Sequence, residues 1–162
     1  MDIKIKSDTG NFYYVVRGVI EQDGKYLAAQ ITFPDGSKSA WHFPGGHVDI
    51  GETADEAIHR ELREEIDCEI DARSFCVLEN FWEDNGNLAH GLEIYYIVMP
   101  LSRLCDKDYS KTELDRGIKK TLDFKWLFRT DLHNFDLRPK LIKQKLINNE
   151  LDGFNHYSNK KQ

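Results

Sequence analysis

Residues 45–68, GGHVDIGETADEAIHRELREEIDC, constrain what this chain can fold into more than any other stretch. Gly45, Gly46 and Gly51 mark a loop whose backbone can enter conformations closed to other residues. Thr53 followed by Glu56 is a capping box, so a helix is expected to begin at about Ala54. Ala54, Ala57, Ile58, Leu62 and Ile66 recur at helical spacing and predict its buried stripe. Glu61, Glu64 and Glu65 then share a neighbouring stripe, within a turn of one another. Like charges so placed repel by roughly 0.2–0.5 kcal/mol per pair on an exposed helix. A purely structural helix has no reason to carry that cost. A divalent cation supplies one, since hard cations take oxygen ligands and pair with substrate phosphates. The bland alternative is a solvated acidic face with ordinary i,i+4 pairs, Glu56–Arg60 and Arg60–Glu64. The glycine turn and Glu52, held in one register with the helix, favour the cation.

Gly46, Glu52, Arg60, Glu61, Leu62, Glu64, Glu65 and Cys68 stand at the spacing of the Nudix box, and the segment resembles that of the Nudix hydrolases. Asp67 departs from the pattern, standing where the family usually has glycine. That position lies past the helix end, where a left-handed residue is wanted, and Asp tolerates it better than most. The resemblance implies an α/β Nudix fold, a mixed β-sheet sandwiched between α-helices. It implies hydrolysis of nucleoside diphosphates linked to another group, with Mg²⁺ or Mn²⁺ as cofactor. It further implies that Glu61, Glu64 and Glu65 ligate the metal, with the Gly46 carbonyl as a further ligand. Arg60 is expected to pair with Glu52 and orient the carboxylates, and a box carboxylate to act as general base. The proline and tyrosine that mark two subgroups of the family are both missing after the box. The resemblance therefore names no individual substrate.

Composition adds bounds. At 162 residues the chain is expected to form a single domain over 1–162, with a polar tail from Asn149 that frays. A net charge of −6 argues against a nucleic-acid backbone as partner. Cys68, Cys76 and Cys105 show no paired spacing, which points to a reducing compartment. The first ten residues hold no apolar run, so neither a signal peptide nor a membrane partner is expected, and a cytoplasmic protein is the default. The expected partner is a nucleotide-type small molecule; a homodimer is compatible with the sequence.

Along the chain, Phe12 to Ile20 and Lys25 to Ile31 read as strands joined through Asp23-Gly24. Trp41-His42-Phe43 is a short strand that delivers Gly45-Gly46. Phe75 to Trp82 and Leu88 to Met99 predict a hairpin around Asn85-Gly86, and Leu122 to Phe128 another strand. Residues 102–120 read as an irregular surface loop. Pro139 opens a last helix running to about Asn148, with Ile142 and Leu146 on one face. Candidate substrate contacts are Trp41, Phe81 and Trp82, each weighed against plain core packing, and Arg17, which interrupts an apolar run. Glu93 either reaches the site or faces solvent, since alternation does not say which face is buried. With little visible machinery for reading a base, broad activity on nucleoside diphosphate derivatives or triphosphates is expected. The competing class is a catalytically silent domain that binds a nucleotide as a sensor; retention of every box carboxylate favours the enzyme.

Overall fold

In the computed structural model, which describes residues 4–7, 10–84, 86–115 and 117–160, the box helix is α1, Ala54–Ile66. Its start follows the capping box. The Thr53 hydroxyl accepts from the Glu56 amide at 3.2 Å, and the Glu56 carboxylate accepts from the Thr53 amide at 2.8 Å. Ala57, Ile58, Leu62 and Ile66 are buried as their spacing requires. Asp67 ends the helix in the left-handed region, at φ 52° and ψ 45°. Replacing it with glycine removes a Cβ from that conformation, and Asp67→Gly is expected to hold or raise the melting temperature, with a stability gain of about 1 kcal/mol at most. A clear loss of stability in a thermal melt would mean that the Asp67 side chain has another role.

Eight strands flank the helix: β1 Lys4–Ser7, β2 Gly10–Gln22, β3 Lys25–Thr32, β4 Ile70–Asp84, β5 Asn87–Pro100, β6 Tyr109–Asp115, β7 Ile118–Phe128 and β8 Asn155–Ser158. They form one sheet in the order β6-β7-β3-β2-β5-β4-β8, with β1 pairing β2. The sheet is mixed, because β2–β5 and β4–β8 run parallel and the other pairs antiparallel. One core cluster packs Val16, Ile20 and Tyr96 against α1. A second lies on the other face, where Val19, Tyr26 and Tyr95 meet the last helix, α2, Lys140–Asn148, through Ile142 and Leu146. The two-sided, mixed α/β architecture is the one the resemblance implied.

Two expectations about the second half of the chain need correcting. Residues 102–120 are not one irregular loop, since β6 pairs β7 from Tyr109↔Phe124 to Asp115↔Ile118. Lys111 and Glu113 share the inner side with Tyr109 and mask its apolar period, while Tyr109 itself stacks on Phe124, ring centroids 4.7 Å apart. Nor does the tail simply fray from Asn149, because β8 adds to the sheet edge beside β4, Cys76↔Asn155 to Glu79↔Ser158. A four-residue strand of Asn, His, Tyr and Ser carries no propensity signal of its own. Of the turn expected at Asn85-Gly86, Asn85 lies outside the described residues. No helix among the described residues is long and apolar enough to cross a membrane.

The feature that positions the box lies between β2 and β3. These strands pair only at Glu21↔Tyr26 and Gln22↔Lys25, beside the Asp23-Gly24 turn, and then part. Segment 41–48 fills the gap. His42 exchanges backbone hydrogen bonds with Ala29 of β3, both at 2.8 Å. On the other side the Val16 and Gly18 amides of β2 donate to the Gly46 and Pro44 carbonyls at 2.9 and 2.8 Å. Gly45 and Gly46 are thereby fixed within the sheet, facing α1.

Candidate active site

Four carboxylates and one guanidinium meet where this inserted segment touches α1. Arg60 anchors them. Its Nε and Nη2 donate to the two Glu52 oxygens at 2.8 and 2.9 Å, a bidentate pair, and Nη2 also reaches the His47 carbonyl at 3.0 Å. Nη1 donates to Glu61 at 2.8 Å and stands 3.5 Å from Glu64. Arg60 therefore ties the box loop to the helix; the i,i+4 pair with Glu64 is its longest contact. The hydrogen bond from Arg60 holds the Glu52 carboxyl below its ordinary range.

The remaining carboxylates differ in their surroundings. Glu64 is exposed; Glu61 is mostly buried against Gly46, so close that a Cβ added to Gly46 would lie 2.5 Å from the Glu61 carboxylate. Glu65 is 6% exposed, and one of its oxygens accepts from the Gly45 amide at 2.9 Å. Burial, reinforced by the neighbouring Glu61, pushes its carboxyl up to about 8. Burial raises Glu61 as well, against the pull of Arg60. Behind this cluster, Arg17 on β2 donates to the Gly45 carbonyl at 2.5 Å, so the Gly45 peptide is gripped on both sides. Lys111 of β6 donates to the Glu64 carbonyl, which brings the overlooked β6–β7 hairpin onto the last turn of α1.

Two adjacent buried carboxylates, acceptor-rich and set against a glycine, are what a hard cation uses for ligands. Among the described residues no three such groups yet stand in ligating geometry, Glu61 being turned toward Arg60 and Glu65 toward Gly45. The cluster has a consequence for stability without metal. A carboxyl whose folded pKa is raised leaves stability intact below its unfolded value of about 4.5 and removes it as pH climbs toward about 8. In chelator, the melting temperature is expected to fall between about pH 5 and pH 8. Glu65→Gln should flatten that slope, and a slope equally steep in the variant would show that another group sets it.

The candidate substrate residues separate. Trp41 packs on Phe135 at the α2 side, ring centroids 5.5 Å apart, and is not brought to the box. Phe81 stacks on His90 at 4.1 Å, and alternation along β4 puts it on the face opposite Trp82. Trp82 stacks on Tyr13 at 5.4 Å, and Tyr13 in turn touches the ring of His47, whose carbonyl holds Arg60. Glu93 is buried, at 8% exposure. Its carboxylate accepts from Asn80 Nδ2 at 2.9 Å and from Tyr95 Oη at 2.5 Å. Sequence reading missed Tyr13, Asn80 and Tyr95. Period-two alternation from Trp82 and Glu93 was the available signal for the last two, since 80 and 82, like 93 and 95, share a strand face.

Comparison with known proteins bears on this arrangement. The NUDIX domain matches residues 13–143. A CTP pyrophosphohydrolase of Escherichia coli (strain K12) is 37% identical over 76 residues, covering 47% of this chain and 56% of that protein. An RNA pyrophosphohydrolase of Sulfurovum sp. (strain NBC37-1) is 55% identical over 31 residues, 19% of this chain and 20% of that one. The chain thus matches about half the length, or less, of these curated relatives. Among solved structures, a NUDIX hydrolase from Nitrosomonas europaea superposes with a TM-score of 0.56 at 24% identity, covering 87% of this chain and 91% of its own. At that identity the likeness speaks to the fold.

Proposed function

Since the chain belongs to the NUDIX family, we propose that it is a pyrophosphohydrolase, cleaving the diphosphate linkage of nucleoside diphosphate derivatives or nucleoside triphosphates. The observation that carries the reading is the Glu61–Glu65 pair, two carboxylates buried side by side against Gly46 and Gly45 with too little positive charge to balance them. Glu61, Glu64, Glu65 and the Gly46 carbonyl would hold Mg²⁺ or Mn²⁺. When bound, such an ion neutralises the diphosphate oxygens and makes phosphorus open to attack.

The chain's own groups do the rest. Arg60, locked onto Glu52 and the His47 carbonyl, holds Glu61 in place and keeps the loop from separating from the helix. Arg17 and Glu65 fix the Gly45 peptide from opposite sides, which positions the Gly46 carbonyl. A water attacks phosphorus and gives its proton to a box carboxylate. The P–O bond of the bridge breaks, and a nucleoside phosphate leaves from one side of it. A panel of nucleotides incubated with Mg²⁺ or Mn²⁺, with released phosphate read after a phosphatase step, tests this reading. Turnover that requires the metal is expected; no turnover on any diphosphate-linked nucleotide would overturn it.

A further inference from the structure

Outside the box, one more buried carboxylate stands among the described residues, Glu93, and its setting is that of a ligand-reading group. A carboxylate has about four acceptor positions. Two are filled, by Asn80 Nδ2 and Tyr95 Oη, both neutral donors. The cost of burying such a charge falls only when its remaining acceptors find N–H or O–H donors. Because Gly91 has no side chain, the Trp82 ring closes over the strand right beside the carboxylate. A Cβ there would lie 3.0 Å from Trp82 Cζ3, 3.2 Å from Cη2 and 3.3 Å from Glu93 Oε1. The tip of the Trp82 ring and the carboxylate are therefore neighbours over the Gly91 backbone, with no room for a methyl between them.

The partners of the carboxylate are fixed from behind. Asn159, just past β8, donates from Nδ2 to Asn80 Oδ1 at 2.5 Å and accepts from the Phe81 amide at 2.7 Å. That bond commits the Asn80 carbonyl oxygen, so its amide nitrogen is the end presented to Glu93. Tyr95 pairs in register with Arg17, and Tyr13, under Trp82, touches His47 of the box loop. One sheet face thus runs from the box to the Trp82 ring.

We infer that Glu93 is a specificity-determining residue that reads a base stacked on Trp82, and that the base is guanine. This deepens the hydrolase reading above and rests on it. The exposed half of Trp82 offers a platform for a planar ring, which favours a base over a sugar at this position. A carboxylate beside it accepts two parallel N–H bonds from guanine, whose ring N1–H and amino group are adjacent donors. Adenine and cytosine set a ring acceptor next to their amino group, and uracil flanks its N–H with two carbonyls, so each of these meets the carboxylate with a repulsive atom. The charge of Glu93, not the shape of the pocket, makes the choice.

The test is binding of GDP, ADP, CDP and UDP to the full chain with Mg²⁺, by calorimetry. GDP is expected to bind about tenfold tighter than the others, or more, the range of one good bidentate contact. Glu93→Gln replaces one acceptor with a donor at constant volume and should bring GDP down to the level of ADP, moving ADP and CDP little. Trp82→Ala should weaken all four about equally. Gly91→Ala, whose methyl would push the ring tip and the carboxylate apart while keeping both groups, should also erase the GDP preference, and it stands in if Glu93→Gln does not fold. Equal binding of the four diphosphates by the wild type, or a GDP preference that survives in Glu93→Gln or Gly91→Ala, overturns the inference. Binding is read without turnover. A GDP preference in a protein that hydrolyses nothing would sink the hydrolase reading alone, and indiscriminate hydrolysis with equal binding would sink the Glu93 assignment alone.

Discussion

Glu64→Gln and Glu65→Gln will each fold and will each lose roughly 10²- to 10⁴-fold in turnover, the range expected when a group that handles a proton or holds the metal is neutralised. Gln keeps the volume and removes the charge, so packing gives no reason for either protein to unfold. Their other behaviour will differ. Glu65 is buried beside Glu61 and its carboxyl is pushed up to about 8, so its amide should stabilise the metal-free protein at pH 8. Glu64 is exposed, and its amide should leave the metal-free melting temperature nearly where it was. Steady-state rates with Mg²⁺ and melts in chelator separate the two. Near-normal turnover in both variants would remove the box carboxylates from the chemistry.

The box was legible because its signals are local. The Thr53/Glu56 capping box, the α1 stripe and the left-handed Asp67 each depend on residues within a few positions of one another, and the structure has all three. The bidentate Arg60–Glu52 pair, eight residues apart, required the family pattern. Beyond the helix, legibility fell as pairing became long-range. β8 exists because β4 offers an open edge to residues 155–158, a fact about the sheet and not about Asn, His, Tyr and Ser. Glu93 stayed ambiguous for the same reason, since its face is set by partners on β2 and β4. The division of aromatics followed from strand parity. Phe81 and Trp82 are neighbours in sequence and therefore lie on opposite faces, so only one of them could join Tyr13. That Asn80 and Tyr95 meet Glu93 is likewise a consequence of strand pairing, which spacing alone does not carry.

Gly45→Ala and Gly46→Ala, one residue apart, are expected to fail in opposite ways. Gly45 sits at φ 130°, a conformation in effect reserved for glycine, and a Cβ there would enter the Val16 carbonyl and lie 3.1 Å from the Arg17 Cα. Those are strand backbone atoms and have nowhere to go. Gly45→Ala should cost roughly 3–5 kcal/mol, or about 10 °C in melting temperature for a domain of this size. Gly46 lacks the positive φ, and the nearest atoms its added Cβ would meet are the end of the Glu61 side chain, at 2.5 Å. A flexible carboxylate can swing aside, so Gly46→Ala should melt within a few degrees of wild type. Swinging aside is nevertheless fatal to the site, because it pulls Glu61 off Arg60 and out of line with Glu65. Turnover should fall by about 10²-fold, the cost of misplacing a positioned group by an ångström. Melting curves and steady-state rates on the two variants check both halves. If Gly46→Ala kept wild-type turnover, Glu61 would not be needed where it sits, and the cradle between the glycine turn and α1 would have to be read as packing.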